Sequence, residues 1–258
     1  MRAQKPIRSD IAWSTSDRIV VRGKDLPGEI LGHMNLGDLA FLQITGRTAT
    51  PAESNVFNAI VITLVEHGIT PSAIVARMTY AGAPESLQAA VAAGLCGLGT
   101  VFVGSTEGAT KMLYEALGDR GDADLQSIAV ATVAKYRREG TVVPGLGHPV
   151  HRPIDPRTPR LFEIAADNGM ANDYCKLMQL IATEAERVSG KSLTLNATGA
   201  VGAICCELGF PWNIVRGLGV MARAIGLVGH LLEESKNPMA MEILWRVDEA
   251  ASAHLRNA

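Results

Sequence analysis

The stretch NIVRGLGVMARAIGLVGHLLEES, residues 213–235, sets four glycines into an otherwise apolar helical pattern. Gly217, Gly219, Gly226 and Gly229 each weaken such a helix by up to about 1 kcal/mol relative to alanine. A helix carrying that cost recovers it by close packing on another helix, within the chain or across a dimer. The stretch therefore predicts a compact, mostly helical, oligomeric protein. Composition agrees: 47% of residues are hydrophobic but only 5% aromatic, so small and aliphatic side chains must build the core. Arg223 is a charge inside this apolar helix, and burying it demands an anionic partner, either a functional anion site or a structural ion pair. His230, seven residues on and near the same face, reads as a helix-packing histidine.

Elsewhere the pattern is helical too. Residues 10–24 hold short β-branched runs split by a polar turn and ended by Gly23, which predicts a small hairpin. Thr50, Pro51 and Glu53 stand in the N-cap, N1 and N3 places of a capping box. The helix that follows is apolar on all sides, so it is expected to be deeply buried and to end at Gly68, with His67 in its last turn, where the helix dipole favours a histidine. Thr70-Pro71 and Thr158-Pro159 open further helices, and the amphipathic NDYCKLMQLIATEAERVSG stops at Gly190.

Several function classes are excluded or disfavoured. The net charge of −2 recruits neither nucleic acid nor an anionic membrane. The N-terminus is basic but has no apolar signal-type region, and no run of eighteen apolar residues occurs, so a soluble, cytoplasmic protein is expected. Cys96, Cys175, Cys205 and Cys206 lie in apolar helical stretches and are expected as buried, reduced thiols. No H-E-x-x-H or Cys/His ligand spacing predicts a metal site, and no nucleophile elbow or P-loop occurs.

Chemistry concentrates in PGLGHPVHRPIDPR, residues 144–157, which has two histidines and two arginines and no apolar period. Glycines on both sides of Leu146 let the backbone approach a ligand and present N–H groups to it. His148 is either a turn histidine or a site residue. Arg157 suits bidentate grip on a carboxylate, or is a solvated surface arginine. Lys135, Arg137, Arg138 and Arg152 form a solvated face or a cradle for a phosphate-rich ligand.

These pieces together resemble the citrate synthase superfamily. PGLGHPVHRPIDPR is similar to its PG-x-GH…DPR signature, LVEHGITPSAIVAR to its first substrate-histidine segment, and VFVGSTEGATKML to the segment entering its small domain. LNATGAVGAICCELGFP and VMARAIGLVGHLLE match late segments in order and spacing, so the resemblance runs from about Asp10 to about Asn237. It implies a mostly α, two-domain helical fold with a short N-terminal β-hairpin. The large domain would comprise 1–106 and 204–258, and a small domain 107–203, with the site in the cleft. It also implies a homodimer or dimer-based oligomer, no permanently bound cofactor, and a coenzyme A thioester as substrate or product.

By the same resemblance, His148 contacts a substrate oxygen and can accept a hydroxyl proton. His67 binds substrate, Arg157 and Arg223 hold carboxylates, and Pro144–Gly147 lie against coenzyme A. Two positions depart from the synthases. Phe102 stands where they place a histidine, a change shared with citryl-CoA lyase and the lyase module of ATP-citrate lyase. Thr198 stands where both branches have an aspartate, and a hydroxyl cannot serve as a carboxylate base near neutral pH. The expected activity is therefore cleavage of a hydroxy-polycarboxylic acyl-CoA to acetyl-CoA, or an analogue, and a 2-oxo acid such as oxaloacetate. Glu107 or water would return a proton to the enolate. The alternative is a non-catalytic CoA-ester-binding relative that acts as a regulatory or partner subunit.

Overall fold

The β-branched runs near the N-terminus pair as expected and add one strand. In the computed structural model, which describes residues 6–118, 121 and 123–256, β1 (Ala12–Ser14), β2 (Ile19–Val21) and β3 (Lys24–Asp25) form an antiparallel sheet in that order. Trp13 lies opposite Val20, and Val21 opposite Lys24. A single π-helical turn, Leu26–Ile30, follows. Residues 1–5, 119, 120, 122, 257 and 258, and with them the two ends of the expected large domain and a short piece of the expected small one, lie outside the described residues.

The remaining elements are helices: α1 (Leu36–Thr45), α2 (Pro51–Val65), α3 (Pro71–Gly82), α4 (Leu87–Cys96), α5 (Gly104–Gly118) and α6 (Leu125–Glu139). They continue as α7 (Arg157–Asp167), α8 (Asp173–Ser189), α9 (Ala197–Glu207), α10 (Trp212–Lys236) and α11 (Ala240–Arg256). The Thr50/Glu53 capping box is made on both sides, and Gly190 ends α8 in the left-handed conformation. The hydrogen-bonded Arg47 guanidinium holds the Glu53 carboxyl down at about 2, so this N-terminus keeps its anion far into acid.

Two helix ends differ from expectation. α2 stops at Val65, and Glu66 is already extended, so His67 lies in the connection and not in the last turn. The Glu66 carboxylate accepts the His67 N–H at 2.8 Å and takes the place of further helical bonding. α2 is also not buried all round, since Ile62 is 71% exposed. α7 begins at Arg157, ahead of the expected Thr158 cap, because Asp155 accepts the Arg157 N–H at 3.1 Å. The Thr158 hydroxyl instead donates to the Leu195 carbonyl at 2.9 Å.

A main core runs through Phe41, Phe57, Met178, Ile204, Phe210 and Leu218. Phe41 meets Phe57 and Phe210 edge-on, at centroid distances of 5.4 and 5.7 Å. A smaller cluster of Ala73, Ala76, Ala90, Leu227 and Leu231 joins α3, α4 and α10. α10 is long and apolar enough by composition to cross a bilayer. Here it packs against α2, α3, α4, α5 and α9, and its Arg223, His230 and Glu234 are all in charged contacts.

The glycines of α10 divide into two kinds. A Cβ on Gly219 would be driven into Val103, and one on Gly226 into the Val65 carbonyl. Around Gly229 nothing lies within 4 Å, and Gly217 meets only Ile214 of its own helix, at 3.7 Å. Within the chain, close packing thus accounts for two of the four. Gly226→Ala is expected to destabilise by about 1–3 kcal/mol, because backbone must move to admit the methyl group. Gly229→Ala is expected to stabilise by about 0.5–1 kcal/mol through helix propensity. Urea melts of the two variants check the contrast.

Candidate active site

The loop 144–147 is held open by its glycines but is not free to offer its N–H groups. Gly145 and Gly147 have φ of 86° and 84°, and a Cβ on Gly145 would sit 2.5 Å from the Gly199 Cα. The Gly145 N–H donates to the Ser105 hydroxyl at 3.1 Å, Leu146 N–H to the Val143 carbonyl at 3.3 Å, and Gly147 N–H to the Thr194 carbonyl at 2.7 Å. The expectation that these amides cradle a ligand is therefore corrected. They fasten the loop to α5 and to the strand-like approach to α9, where Leu146 pairs with Leu195. What the loop presents to a ligand is its apolar surface. Pro144, Gly145, Leu146 and Gly147 line an outer groove of about 890 Å³, together with Val101, Phe102 and Val142.

The groove meets an inner cavity of about 150 Å³, and His67, Phe102, His148, Arg157 and Thr198 line both. Arg223, Thr70 and Leu98 also stand in the inner wall. The structure thus brings together every catalytic and substrate-binding residue expected from the sequence. Residues between 67 and 223 converge from the connection after α2, the segment before α5, the 144–157 loop, the first turns of α7 and α9, and the middle of α10.

His148 is fixed by its own loop. Its Nδ1 accepts N–H groups of Val150 at 3.1 Å and His151 at 2.9 Å. A nitrogen accepting two donors is unprotonated, so the neutral ring carries its proton on Nε2. Burial and the neighbouring His151 hold the His148 pKa below its ordinary value, consistent with a neutral ring. His148 meets the cavity as a donor, and the expectation that it accepts a hydroxyl proton is not matched by this tautomer. His151 was given no role from sequence. Its ring stacks on His148 at 4.4 Å, and its Nε2 lies 3.0 Å from His67 Nε2. Burial and Arg157 likewise lower the His67 pKa.

The arginines differ in how tightly they are held. Arg157 is clamped by Asp155, with Nε to Oδ1 at 3.0 Å and Nη2 to Oδ2 at 2.8 Å, leaving Nη1 unpaired among the described residues. Arg223 lies 3.6 Å from the Glu66 carboxylate and donates to the Thr70 hydroxyl at 3.4 Å. Burial lowers its pKa and Glu66 opposes the shift. Arg223 thus has a loose ion pair with Glu66 and also lines the cavity. His230, read as a packing histidine, lies with Nε2 3.1 Å from Glu66 Oε2 and so supports that carboxylate from behind.

Thr198 sits on a short polar chain. Its hydroxyl is 2.6 Å from Asn196 Oδ1 and 3.0 Å from the Ser105 hydroxyl, which in turn accepts from Gly145 N–H. Ser105 carries no sequence signal of its own, and Asp155 is marked only as the acid of the Asp-Pro-Arg signature.

Other candidates fall outside the cavity. Glu107 is engaged by Arg216 at 2.7 Å and is absent from the cavity wall, which argues against its use as a proton source. Lys135 pairs with Glu115 at 3.6 Å, and Arg152 donates to the His148 carbonyl at 3.2 Å. Neither lines the outer groove. Cys175, Cys205 and Cys206 are buried, and burial pushes their thiols up, but Cys96 is exposed at the end of α4, contrary to expectation. Nitrogens of His67, His148 and His151 lie within 4.8 Å of one another, a juxtaposition that sequence spacing did not reveal. His67 and His151 touch through their Nε2 atoms, His148 Nδ1 is taken by backbone N–H groups, and Arg157 and Arg223 line the same cavity as His67 and His148.

A largely helical fold that closes two histidines and two arginines around an inner cavity, with a glycine loop beside a long groove, defines a class. A family model described as citrate synthase, C-terminal domain, matches residues 33–247, and the chain belongs to the citrate synthase family. Among solved structures it is similar to citryl-CoA lyase from Hydrogenobacter thermophilus, with 32% identity, a TM-score of 0.80, and coverage of 89% of this chain and 87% of that one. ATP citrate lyase from Methanothrix soehngenii, in complex with citrate and coenzyme A, shares the fold at 18% identity and a TM-score of 0.72, over 92% of this chain and 40% of that one. A probable ATP-citrate synthase of Dictyostelium discoideum is 23% identical over 93% of this chain. The chain spans 40% of that relative's length.

Proposed function

We propose that the protein is a carbon–carbon lyase of the citryl-CoA lyase type, which cleaves a CoA thioester of a hydroxy-polycarboxylic acid to acetyl-CoA, or an analogue, and a 2-oxo acid. The observation that carries this reading is the inner cavity, where His67, His148, Arg157 and Arg223 meet at the end of the groove beside Pro144–Gly147. Two guanidinium groups suit the carboxylates of the acid. The groove suits an extended thioester arm, and Phe102 stands at the junction, where it offers bulk and no hydrogen bond. Similarity to citryl-CoA lyase supports the reaction class.

In this reading the site lies between the two expected domains, with His67, Phe102 and Arg223 from 1–106 and 204–258, and His148, Arg157 and Thr198 from 107–203. The enzyme works in the cytoplasm as a homodimer or dimer-based oligomer, with no permanently bound cofactor. The second reading, a CoA-ester-binding subunit without turnover, draws on Thr198, whose hydroxyl is occupied by Asn196 and Ser105 where a carboxylate base would stand.

The test is to mix the purified protein with citryl-CoA and follow oxaloacetate by coupled NADH oxidation, with citramalyl-CoA run beside it and products read by mass spectrometry. Cleavage of either ester supports the lyase. Binding of both by calorimetry without products supports the second reading. Thr198→Asp is expected to lower cleavage, because its carboxylate would face Asn196 Oδ1, another acceptor. A gain of about 10²-fold would instead mark the native protein as a disabled enzyme.

A further inference from the structure

Cleavage requires a group that takes the hydroxyl proton as the carbon–carbon bond breaks. His148 meets the cavity as an N–H donor, because Val150 and His151 N–H groups occupy its Nδ1. The nearby carboxylates are also committed. Asp155 accepts from Arg157 and from the Ala197 N–H at 2.9 Å, and Glu66 accepts the His67 N–H while facing Arg223 and His230. The Thr198 hydroxyl is tied to Asn196.

The uncommitted bases are the imidazoles of His67 and His151. Their Nε2 atoms lie 3.0 Å apart, so one ring donates and the other accepts. His67 lines both the cavity and the groove, and its Nδ1 has no partner among the described residues. His151 lines neither and is braced edge-on to His67 at 5.2 Å and face-on to His148.

We propose that His67 Nδ1 is the base for the substrate hydroxyl, and that His151 is a positioning residue which accepts the His67 Nε2–H and so fixes the tautomer that leaves Nδ1 free. This assignment rests on the lyase reading above. In the step, the hydroxyl O–H bond breaks and its proton passes to His67 Nδ1. The C–C electron pair moves onto the thioester as an enolate, and the 2-oxo acid carbonyl forms. The enolate carbon then takes a proton from water, and the hydroxide left behind takes the proton from His67, so the net change is one proton moved from oxygen to carbon. Protonation of His67 turns its bond to His151 into a charge-assisted one, which strengthens when the charge develops. The groups facing His67 are Arg157, Arg223, His148, His151 and Asp155. Burial and Arg157 lower its pKa, so it is neutral and able to accept near pH 7.

Two measurements test this. Tautomers are read by 15N NMR of histidine-labelled full-length protein: Nε2–H is expected for both His67 and His148, and an Nδ1–H tautomer at His67 overturns the proposal whether or not the protein is a lyase. In turnover, His151→Ala is expected to lower kcat for citryl-CoA by about 10²-fold with KM little changed. His151→Gln, whose Oε1 can accept the same N–H, is expected to keep more activity, and added imidazole to restore part of the alanine variant's loss. Undiminished kcat in His151→Ala, or a loss that neither glutamine nor imidazole relieves, overturns the role of His151. Wild-type protein that shows the expected tautomers but cleaves no ester overturns the lyase reading and with it the catalytic step, while upholding the pairing.

Discussion

Arg77→Met is expected to cost folding about 3–5 kcal/mol, read as a fall in the urea midpoint at unchanged slope. Arg77 is 0% exposed, and its guanidinium joins three groups of α10. Nη1 donates to Glu234 Oε2 at 2.8 Å, Nη2 donates to His230 Nδ1 at 2.8 Å, and Nη2 also pairs with Glu233. Glu234 is 3% exposed at its side chain, and its other oxygen accepts Met239 and Ala240 N–H groups at 3.0 and 2.8 Å, which starts α11. Methionine fills the volume but leaves Glu234 as a buried anion with no cation. That loss is a large fraction of the 5–15 kcal/mol that holds a typical domain together. Arg77→Met with Glu234→Gln removes both charges and is expected to recover part of the loss, because the desolvation penalty vanishes with the pair. The effect also reaches the cavity. His230 Nδ1 loses its donor, His230 backs Glu66 at 3.1 Å, and Glu66 is the partner of Arg223. Arg77→Met should therefore weaken binding of a dicarboxylic acid by surviving protein, although Arg77 lines no part of the cavity.

The convergence of His67, His148, Arg157 and Arg223 was legible in the sequence because each carries local information. Arg223 is a charge in an apolar helix, His148 follows a Gly-x-Gly turn, Arg157 follows Asp-Pro, and His67 stands out through the resemblance of its segment to the family's substrate-histidine segment. Caps such as Thr50 and Glu53 were legible for the same reason, since their partners lie within four residues. What was not legible depends on partners distant along the chain. Arg77 looks like an ordinary helical arginine until α10 brings three acceptors to it. The amides of 145–147 look free until Ser105, Val143 and Thr194 take them. The His67–His151 contact spans 84 positions, and no spacing rule connects those residues. The role of Gly226 is a distant contact too: its small size matters only because α2 ends against it.

Asp155→Asn is expected to impair both stability and the site, more than any substitution at Arg157 itself. Asp155 is fully buried, and its two oxygens accept four donors. Oδ1 takes the Arg157 N–H at 3.1 Å and Nε at 3.0 Å, and Oδ2 takes Arg157 Nη2 at 2.8 Å and Ala197 N–H at 2.9 Å. One side chain thus begins α7, begins α9 and aims the guanidinium that faces the cavity. An asparagine must turn its NH2 toward one of these donor pairs, which leaves buried donors facing each other and Arg157 without its counter-ion. A loss of about 3–5 kcal/mol follows from breaking a buried pair. Displacement of Arg157 by even 1 Å is expected to lower kcat/KM by about 10²-fold. The pH dependence separates the charge from the shape. Burial opposes ionisation, but Arg157 and the Ala197 N–H outweigh it and hold the Asp155 carboxyl down from 3.8 to about 2. A depressed carboxyl contributes stability that is fully present above its unfolded value and lost as pH falls through its folded value. Wild-type stability should therefore drop between about pH 4 and pH 2 by an amount absent from Asp155→Asn, so the two melting curves should draw together in acid. Curves that stay parallel through that window would show that the carboxylate's charge contributes nothing there, and that only its shape holds the two helices.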